Sequence, residues 1–339
     1  MAESELPRLG DYELTELLGA GGTALVHGAR HVLQGRQVAI KVIAPHLAQD
    51  ADARARFAAE ARLLIRIDHP NVIRVHGLGQ LADGTLYQVM ERLRGHTLGE
   101  AMRFAGALAP PQVLPYLRQI CAGLQAIHDC GVVHRDLKPS NIFVLDGTPL
   151  RLRLLDLGIA WLREPVGAPF EAVGQTMGTA RFMAPEQAMG DLGRTSPRTD
   201  LYSLGVILYL MLCGSPPFTG NRAAVILSHV HDPFPPLQER APDVPEAVAE
   251  LVQRCLAKDP EERPGSATEL LELYEAALEP VDVPSPWWFA VPPGLHDVPT
   301  GSLRFPPQRR RAPLAVLAWI AVIAVTPLLV ALVAVTCNG

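Results

Sequence analysis

The chain reads as an α+β protein of two lobes, a small sheet-rich one followed by a larger helical one, with a further apolar helix near its carboxyl end. Three observations predict this. Over the first 90 residues, short apolar runs (ALVHGAR, RQVAIKVI, TLYQVME) alternate with turn residues, the pattern of an antiparallel sheet. From about residue 110 to 278 the apolar spacing becomes mainly helical, as in LPYLRQICAGLQAIHDC, DLYSLGVILYLMLC and EAVAELVQRCLAK. Finally, Leu314 to Thr336 is a run of 23 residues without a charge.

The elements follow in order. Residues 1–10 form an amino-terminal tail, and MAESELPRLGDYEL is acidic and short, without the basic and apolar regions of a secretory signal. Within the sheet-rich part, ADARARFAAEARLLIRI predicts one long helix, with Phe57, Leu64 and Ile67 on its apolar face. The compact region extends over 11–278, with a lobe boundary near 93/94. Residues 279–313 contain PVDVPSPWW, VPPG and FPPQRRRAP, too proline-rich for helix or interior strand, and read as an extended linker. As a helix, 314–336 would be about 34 Å long, enough to cross a hydrocarbon core of about 30 Å. Arg309, Arg310 and Arg311 before it orient the chain with residues 1 to about 312 on the cytoplasmic side of a cell membrane, as a single-pass protein. Residues 337–339 are then an extracytoplasmic tail too short for a sensor domain. Ala-rich spacing in LAVLAWIAVIAV suits pairing of this helix with a second copy, hence a homodimer.

Composition excludes several classes. The net charge is −5 and no basic block exceeds three arginines, which speaks against nucleic acid. The five cysteines show no CxxC pair, so neither a disulfide framework nor a zinc site is expected. No internal repeat of 20 to 50 residues is present, which removes solenoids and propellers.

The chemistry lies in an ordered set of motifs. LLGAGGTALVHGA places Leu18, Gly19, Ala20, Gly21 and Gly22 between two strand-like runs, where backbone N–H groups can approach phosphate without interference from Cβ atoms. VAIK follows at 38–41, read as an alternating strand carrying Lys41. HRDLKPSN at 134–141, DLG at 156–158 and APE at 184–186 come next. Any one of these polar residues fits a capped turn equally well. Together and in this order, over about residues 11–278, they resemble the protein kinase family, specifically the bacterial serine/threonine type built like the eukaryotic enzymes.

That resemblance implies a bilobal kinase fold and an ATP- and Mg²⁺-dependent transfer of the γ-phosphate to Ser/Thr hydroxyls of protein substrates. Phosphoryl transfer needs positioned cations and an oriented nucleophile more than covalent chemistry. By resemblance, Lys41 holds the α- and β-phosphates and pairs with Glu60. Asp136 orients the substrate hydroxyl, Lys138 steadies the γ-phosphate, and Asn141 and Asp156 bind Mg²⁺. Val26 and Ala39 above and Phe143 below enclose the adenine, Met90 lies at the back, and the backbone from Glu91 to Leu93 reads the purine edge. Leu157 replaces the commoner phenylalanine and is expected to stack with Leu64, Val75 and His134. GTARFMAPEQ at 178–187 matches the family's substrate-docking segment, in which Thr179 is expected to bond Asp136 and Lys138; Glu186 is expected to pair with Arg263, and Asp200 to brace the catalytic loop.

Two further places depart from the family pattern. Ala24 stands where a third glycine is usual. In FEAVGQTMGT, Val173 occupies the place of the nearer activation-loop threonine, which leaves Thr176 as the candidate phosphosite. Arg135 is then neutralised either by phosphate on Thr176 or by pairing with Glu171. A nucleotide-binding scaffold without turnover and a small-molecule phosphotransferase are the alternatives. The first is weakened by the presence of Lys41, Glu60, Asp136, Asn141 and Asp156, the second by the APE segment and Thr179.

Overall fold

The computed structural model describes residues 8–158 and 177–278. The predicted linker, the apolar run 314–336, Glu171, Val173 and Thr176 lie outside the described residues. Among the described residues, no helix is long and apolar enough to cross a membrane.

The first lobe is a six-stranded sheet of β1 (Arg8–Leu9), β2 (Tyr12–Ala20), β3 (Ala24–His31), β4 (Gln37–Ile43), β5 (Val75–Gln80) and β6 (Leu86–Glu91). Its order is β1-β2-β3-β4-β6-β5, with every neighbouring pair antiparallel. Between β4 and β5 runs α1 (Ala51–Arg66), started by Asp50, whose side chain accepts the Ala53 N–H at 2.7 Å. Phe57 and Ala58 of α1 pack with Ile43 and Leu86 on one side of the sheet, while Val38, Ile40 and Val89 join Leu9 and Ala29 in a separate cluster. The alternation expected along VAIK is therefore absent: Val38, Ala39, Ile40 and Lys41 are all buried, because β4 is an interior strand covered on both faces.

The second lobe opens with β7 (Gly95–Thr97), α2 (Leu98–Ala105) and α3 (Pro110–Asp129). β8 (Ile142–Leu145) and β9 (Leu152–Leu154) complete a small antiparallel sheet in the order β7-β8-β9. The helical part continues with α4 (Met177–Ala180), α5 (Pro185–Ala188), α6 (Pro197–Cys213), α7 (Arg222–His231), α8 (Leu237–Arg240), α9 (Glu246–Cys255) and α10 (Ala267–Ala277). Every residue of α6 from Thr199 to Tyr209 is buried, so this helix runs through the centre of the lobe and explains why DLYSLGVILYLMLC is apolar on all sides.

The stretch between α1 and β5 is fastened to the second lobe. The Ile73 N–H donates to the Leu154 carbonyl at 2.9 Å and the Leu154 N–H to the Asn71 carbonyl at 2.7 Å. The Asn71 side-chain amide donates to Gln119 Oε1 at 3.0 Å and to the Leu152 carbonyl at 3.2 Å. Gly123 of α3 permits this approach, since a Cβ there would stand 2.9 Å from the Asn71 oxygen. The stretch that follows α1, the helix bearing Glu60, is thereby tied to α3 and β9.

Candidate active site

The loop between α3 and β8 carries Asp136. Its backbone is held from below by Asp200 of α6, which is fully buried. Asp200 Oδ1 accepts the Arg135 N–H and Oδ2 the His134 N–H, both at 2.8 Å, and Oδ2 also meets His128 Nε2 at 2.7 Å. Burial opposes the Asp200 charge, but His128 and His134 outweigh it and keep the carboxyl below the ordinary carboxylate value. Arg135 adopts a φ of 63°.

Around Asp136 the structure gathers three of the residues singled out in the sequence. Lys138 Nζ donates to both Asp136 oxygens, at 2.9 and 2.7 Å, and to Thr179 Oγ1 at 2.8 Å. The Thr179 hydroxyl donates to Asp136 Oδ1 at 3.3 Å. Asn141 Nδ2 donates to the Asp136 carbonyl at 2.8 Å and to Oδ2 at 3.0 Å. The Asn141 nitrogen is thus committed, which leaves its side-chain oxygen available to a ligand.

A second group forms where the lobes meet. Lys41 Nζ donates to Glu60 Oε1 at 2.7 Å and to Asp156 Oδ1 at 2.8 Å. Burial alone would discharge Lys41, but the Asp156 and Glu60 carboxylates overcome it and raise its pKa. Burial raises the Glu60 carboxyl, with the Lys41 charge working against it. For Asp156 the desolvation is outweighed by Lys41, and its carboxyl is lowered. Asp156 has a φ of 42° and its side chain is 51% exposed, so Oδ2 stands open to the cleft.

Gly158 locks this aspartate beside the loop. Its N–H donates to the His134 carbonyl at 2.7 Å, and a Cβ there would fall 2.9 Å from Asp136 Cβ. Between them, Leu157 is 3% exposed and shares the main apolar cluster with Leu64 and Val75, while His134 is fully buried. A leucine fills this place without leaving it open to water.

The glycine-rich hairpin joins β2 to β3, with the Gly21 N–H bonded to the Ala24 carbonyl at 2.9 Å. Among the described residues, a Cβ on Gly19 or Gly22 would meet nothing within 4 Å, and neither has a positive φ, so packing does not explain these glycines. Ala24 is 5% exposed and packs with Ile43 and Phe57, so its methyl faces the core, which is why alanine is accommodated in place of the third glycine. Val26 pairs with Lys41 and Ala39 with Met90 on adjacent strands, and Phe143 lies on β8 opposite Thr97. The Glu91 side chain is tied to Arg153 Nε and the Arg74 N–H, both at 3.0 Å, while the Leu93 N–H has no partner among the described residues.

Farther down, Arg263 Nη1 and Nη2 reach Glu186 at 2.7 and 2.9 Å in a fully buried, two-pronged pair.

The protein kinase domain family matches residues 12–274, the stretch that holds the Asp136 clasp, the Lys41 pair and the glycine hairpin. The chain belongs to the protein kinase family. It is 39% identical over 282 residues to the serine/threonine-protein kinase pkn2 of Myxococcus xanthus, covering 82% of this chain and 34% of that protein. It is 37% identical over 264 residues to PknB of Mycolicibacterium smegmatis, covering 76% and 41%. To the DNA damage-responsive kinase RqkA of Deinococcus radiodurans it is 40% identical over 273 residues, covering 79% and 40%. These alignments therefore span between a third and a half of each relative's length. Among solved structures, the kinase domain of Mycobacterium tuberculosis PknI is similar with a TM-score of 0.63 and 26% identity, over 82% of this chain and all of that domain.

Three residues near the site escape a motif-based reading. His128 supports Asp200 from 72 residues away, and nothing in its local sequence signals this. Arg92, in the stretch from Glu91 to Leu93, pairs with Glu16 of β2. Gln187 follows Glu186 directly and bonds the Arg135 carbonyl at 2.8 Å; its place in APEQ was the available signal.

Proposed function

We propose that the chain is an ATP-dependent serine/threonine protein kinase, held at the cytoplasmic face of a cell membrane by a single helix over 314–336. The observation that carries the catalytic part is the clasp on Asp136. A carboxylate held by Lys138, Asn141 and Thr179 is aimed, ready to accept a bond from a Ser or Thr hydroxyl and draw off its proton. Lys138 beside it offers positive charge to the transferring group, and Thr179 ties the docking segment to the same carboxylate.

The residues present fit ATP. The empty space over Gly19 and Gly22 suits a phosphate approaching the backbone, and Lys41, raised in pKa, stays cationic across the accessible pH range to meet it. The Leu93 N–H and the strands bearing Val26, Ala39 and Met90 suit a purine. They also fit Mg²⁺. Among the described residues, Asn141 Oδ1 and Asp156 Oδ2 are two hard oxygen donors without protein partners, and no group of three or more His, Cys, Asp or Glu is arranged for a metal. This is the donor set expected for an ion bound chiefly through phosphates. When bound, Mg²⁺ would neutralise charge on the nucleotide.

The membrane part rests on the 23-residue uncharged run and the arginines before it. Such a tether raises the effective concentration of the kinase at the membrane without new contacts. Phosphate on Thr176 and pairing of two copies through the apolar helix belong to the same proposal.

Incubation with γ-labelled ATP, Mg²⁺ and a generic protein substrate tests the catalytic part. Transfer to Ser or Thr by the full chain, abolished in Asp136→Asn, is expected. Transfer no greater than in that variant would leave a nucleotide-binding scaffold instead. Deleting 312–339 should release the protein from membranes with its peptide activity intact; a deletion that stays membrane-bound contradicts the tether.

A further inference from the structure

We infer that Gln187 is a positioning residue for the reaction, its side-chain amide fixing the backbone that aims Asp136. Gln187 is 6% exposed in α5 and its two amide atoms do different things. Oε1 accepts the Ala184 N–H at 3.2 Å, an otherwise orphaned donor at the start of α5, and so decides which end of the amide is nitrogen. Nε2 is thereby turned to the catalytic loop, where it donates to the Arg135 carbonyl at 2.8 Å.

That carbonyl belongs to a strained residue. A φ of 63° at Arg135 is unfavourable for a side chain with a Cβ and persists only where the surroundings over-determine it. The determination comes from two sides. Asp200 of α6 takes the Arg135 N–H at 2.8 Å, and Gln187 of α5 holds the Arg135 oxygen. The second bond matters most for chemistry, because the planar peptide carrying that oxygen also carries the Asp136 nitrogen. Gripping the oxygen sets the plane from which the Asp136 side chain projects. Arg135, Asp136, Thr179, Phe182 and Gln187 line one small cavity, so the same amide also joins the docking segment to the catalytic loop.

The inference rests on Asp136 being the group that orients the substrate hydroxyl. With the donor gone, the Arg135–Asp136 peptide is free to rotate, and a displacement on the order of 1 Å in a reacting group costs on the order of 100-fold. The loss should appear in kcat. The KM for ATP should hold, since Lys41 and the glycine hairpin are untouched.

Gln187→Glu in the full chain is the decisive variant: it keeps the acceptor for Ala184 but sets a carboxylate oxygen against the Arg135 carbonyl. At pH 8, kcat is expected to fall roughly 10- to 100-fold with the KM for ATP changed by less than about twofold. Two facing oxygens favour protonation of the new carboxyl, and a protonated carboxyl donates again. The wild-type-to-variant ratio of kcat should therefore shrink as pH is lowered from about 8 to about 5.5. Gln187→Met, which lacks both polar atoms, should show a ratio that stays flat with pH. A merely structural role would leave both ratios flat and make the loss follow the melting temperature. A kcat for Gln187→Glu within about twofold of wild type at pH 8, or a pH-independent loss, overturns the inference. If Gln187→Glu does not fold, Gln187→Lys, which retains a donor, should exceed Gln187→Met in kcat; equal rates overturn it. An Asp136→Asn enzyme that still transfers phosphate would instead sink the reading of Asp136 beneath it.

Discussion

Arg263 and Lys41 are both buried cations bound by carboxylates, yet they are left in different states. Arg263 spends all five of its donors inside the protein: Nε on the Ala257 carbonyl, Nη1 on Glu186 and the Arg198 carbonyl, Nη2 on Glu186 and the Lys258 carbonyl. Its guanidinium also lies 4.8 Å from the centre of the Tyr202 ring. Lys41 meets Glu60 and Asp156, but the Asp156 side chain is 51% exposed and keeps an oxygen for something else. A saturated pair holds a fold, whereas an unsaturated one is ready for a ligand. The charges alone do not distinguish them; the count of satisfied donors and acceptors does.

The contrast is broken most forcefully at the saturated end. Arg263→Met strands the Glu186 carboxylate in the core and should cost roughly 3–5 kcal/mol of stability, read as a lowered urea midpoint, with activity lost only in proportion to the unfolded fraction. A variant of wild-type stability would mean the pair is not structural.

Acid provides the next largest test. His229 is fully buried, its Nε2–H donating to the Arg181 carbonyl at 2.9 Å and its Nδ1 lying 2.8 Å from the Tyr202 hydroxyl. Burial lowers its pKa to about 4 from the ordinary 6.5. A lowered folded pKa on a histidine favours the fold above the unfolded value, so this contribution is complete above pH 6.5 and drains away toward pH 4. The loss should approach about 3 kcal/mol, and His229→Gln should flatten it. Below that range the Asp200 contribution, present above about pH 3.8, fades as pH falls through its lowered folded value. Melting temperatures that stay constant from pH 7 to about pH 4.5 would contradict the assignment.

A smaller effect is expected at Glu60. Glu60→Gln keeps an acceptor for Lys41 but removes the charge, which should lower kcat/KM roughly tenfold while leaving the fold intact. The smallest effect belongs to exposed pairs such as Arg118–Glu275, where Arg118→Ala should cost at most about 1 kcal/mol and less at high salt.

How far these features could be read in advance depended on how local they are. The strand carrying ALVHGAR, the helix bearing Glu60 and the all-round apolar α6 announce themselves by spacing, whereas the alternation expected of VAIK is missing because that strand is buried on both faces. The sheet of β7, β8 and β9 does not, because β7 and β9 have three residues each, too few for any period to register. Among the candidate site residues, Lys41, Asp136, Asn141 and Asp156 could be picked out because their motifs come in a fixed order. The clasp of Thr179 on Lys138 was legible only through the family. His128 and Gln187 act through partners 72 and 52 residues away, and no local pattern carries such a contact. Ala24 and Leu157 looked irregular as letters, yet both turn inward, where an apolar side chain is what the site requires.

The most direct test of the account measures melting and γ-phosphate transfer on the same samples of wild-type protein and Lys41→Met. A melting temperature close to wild type and a loss of transfer on the order of 100-fold or more are expected, because an unsaturated pair contributes to ligand handling and little to the fold. Transfer that survives, or that falls only as far as the protein unfolds, would contradict it.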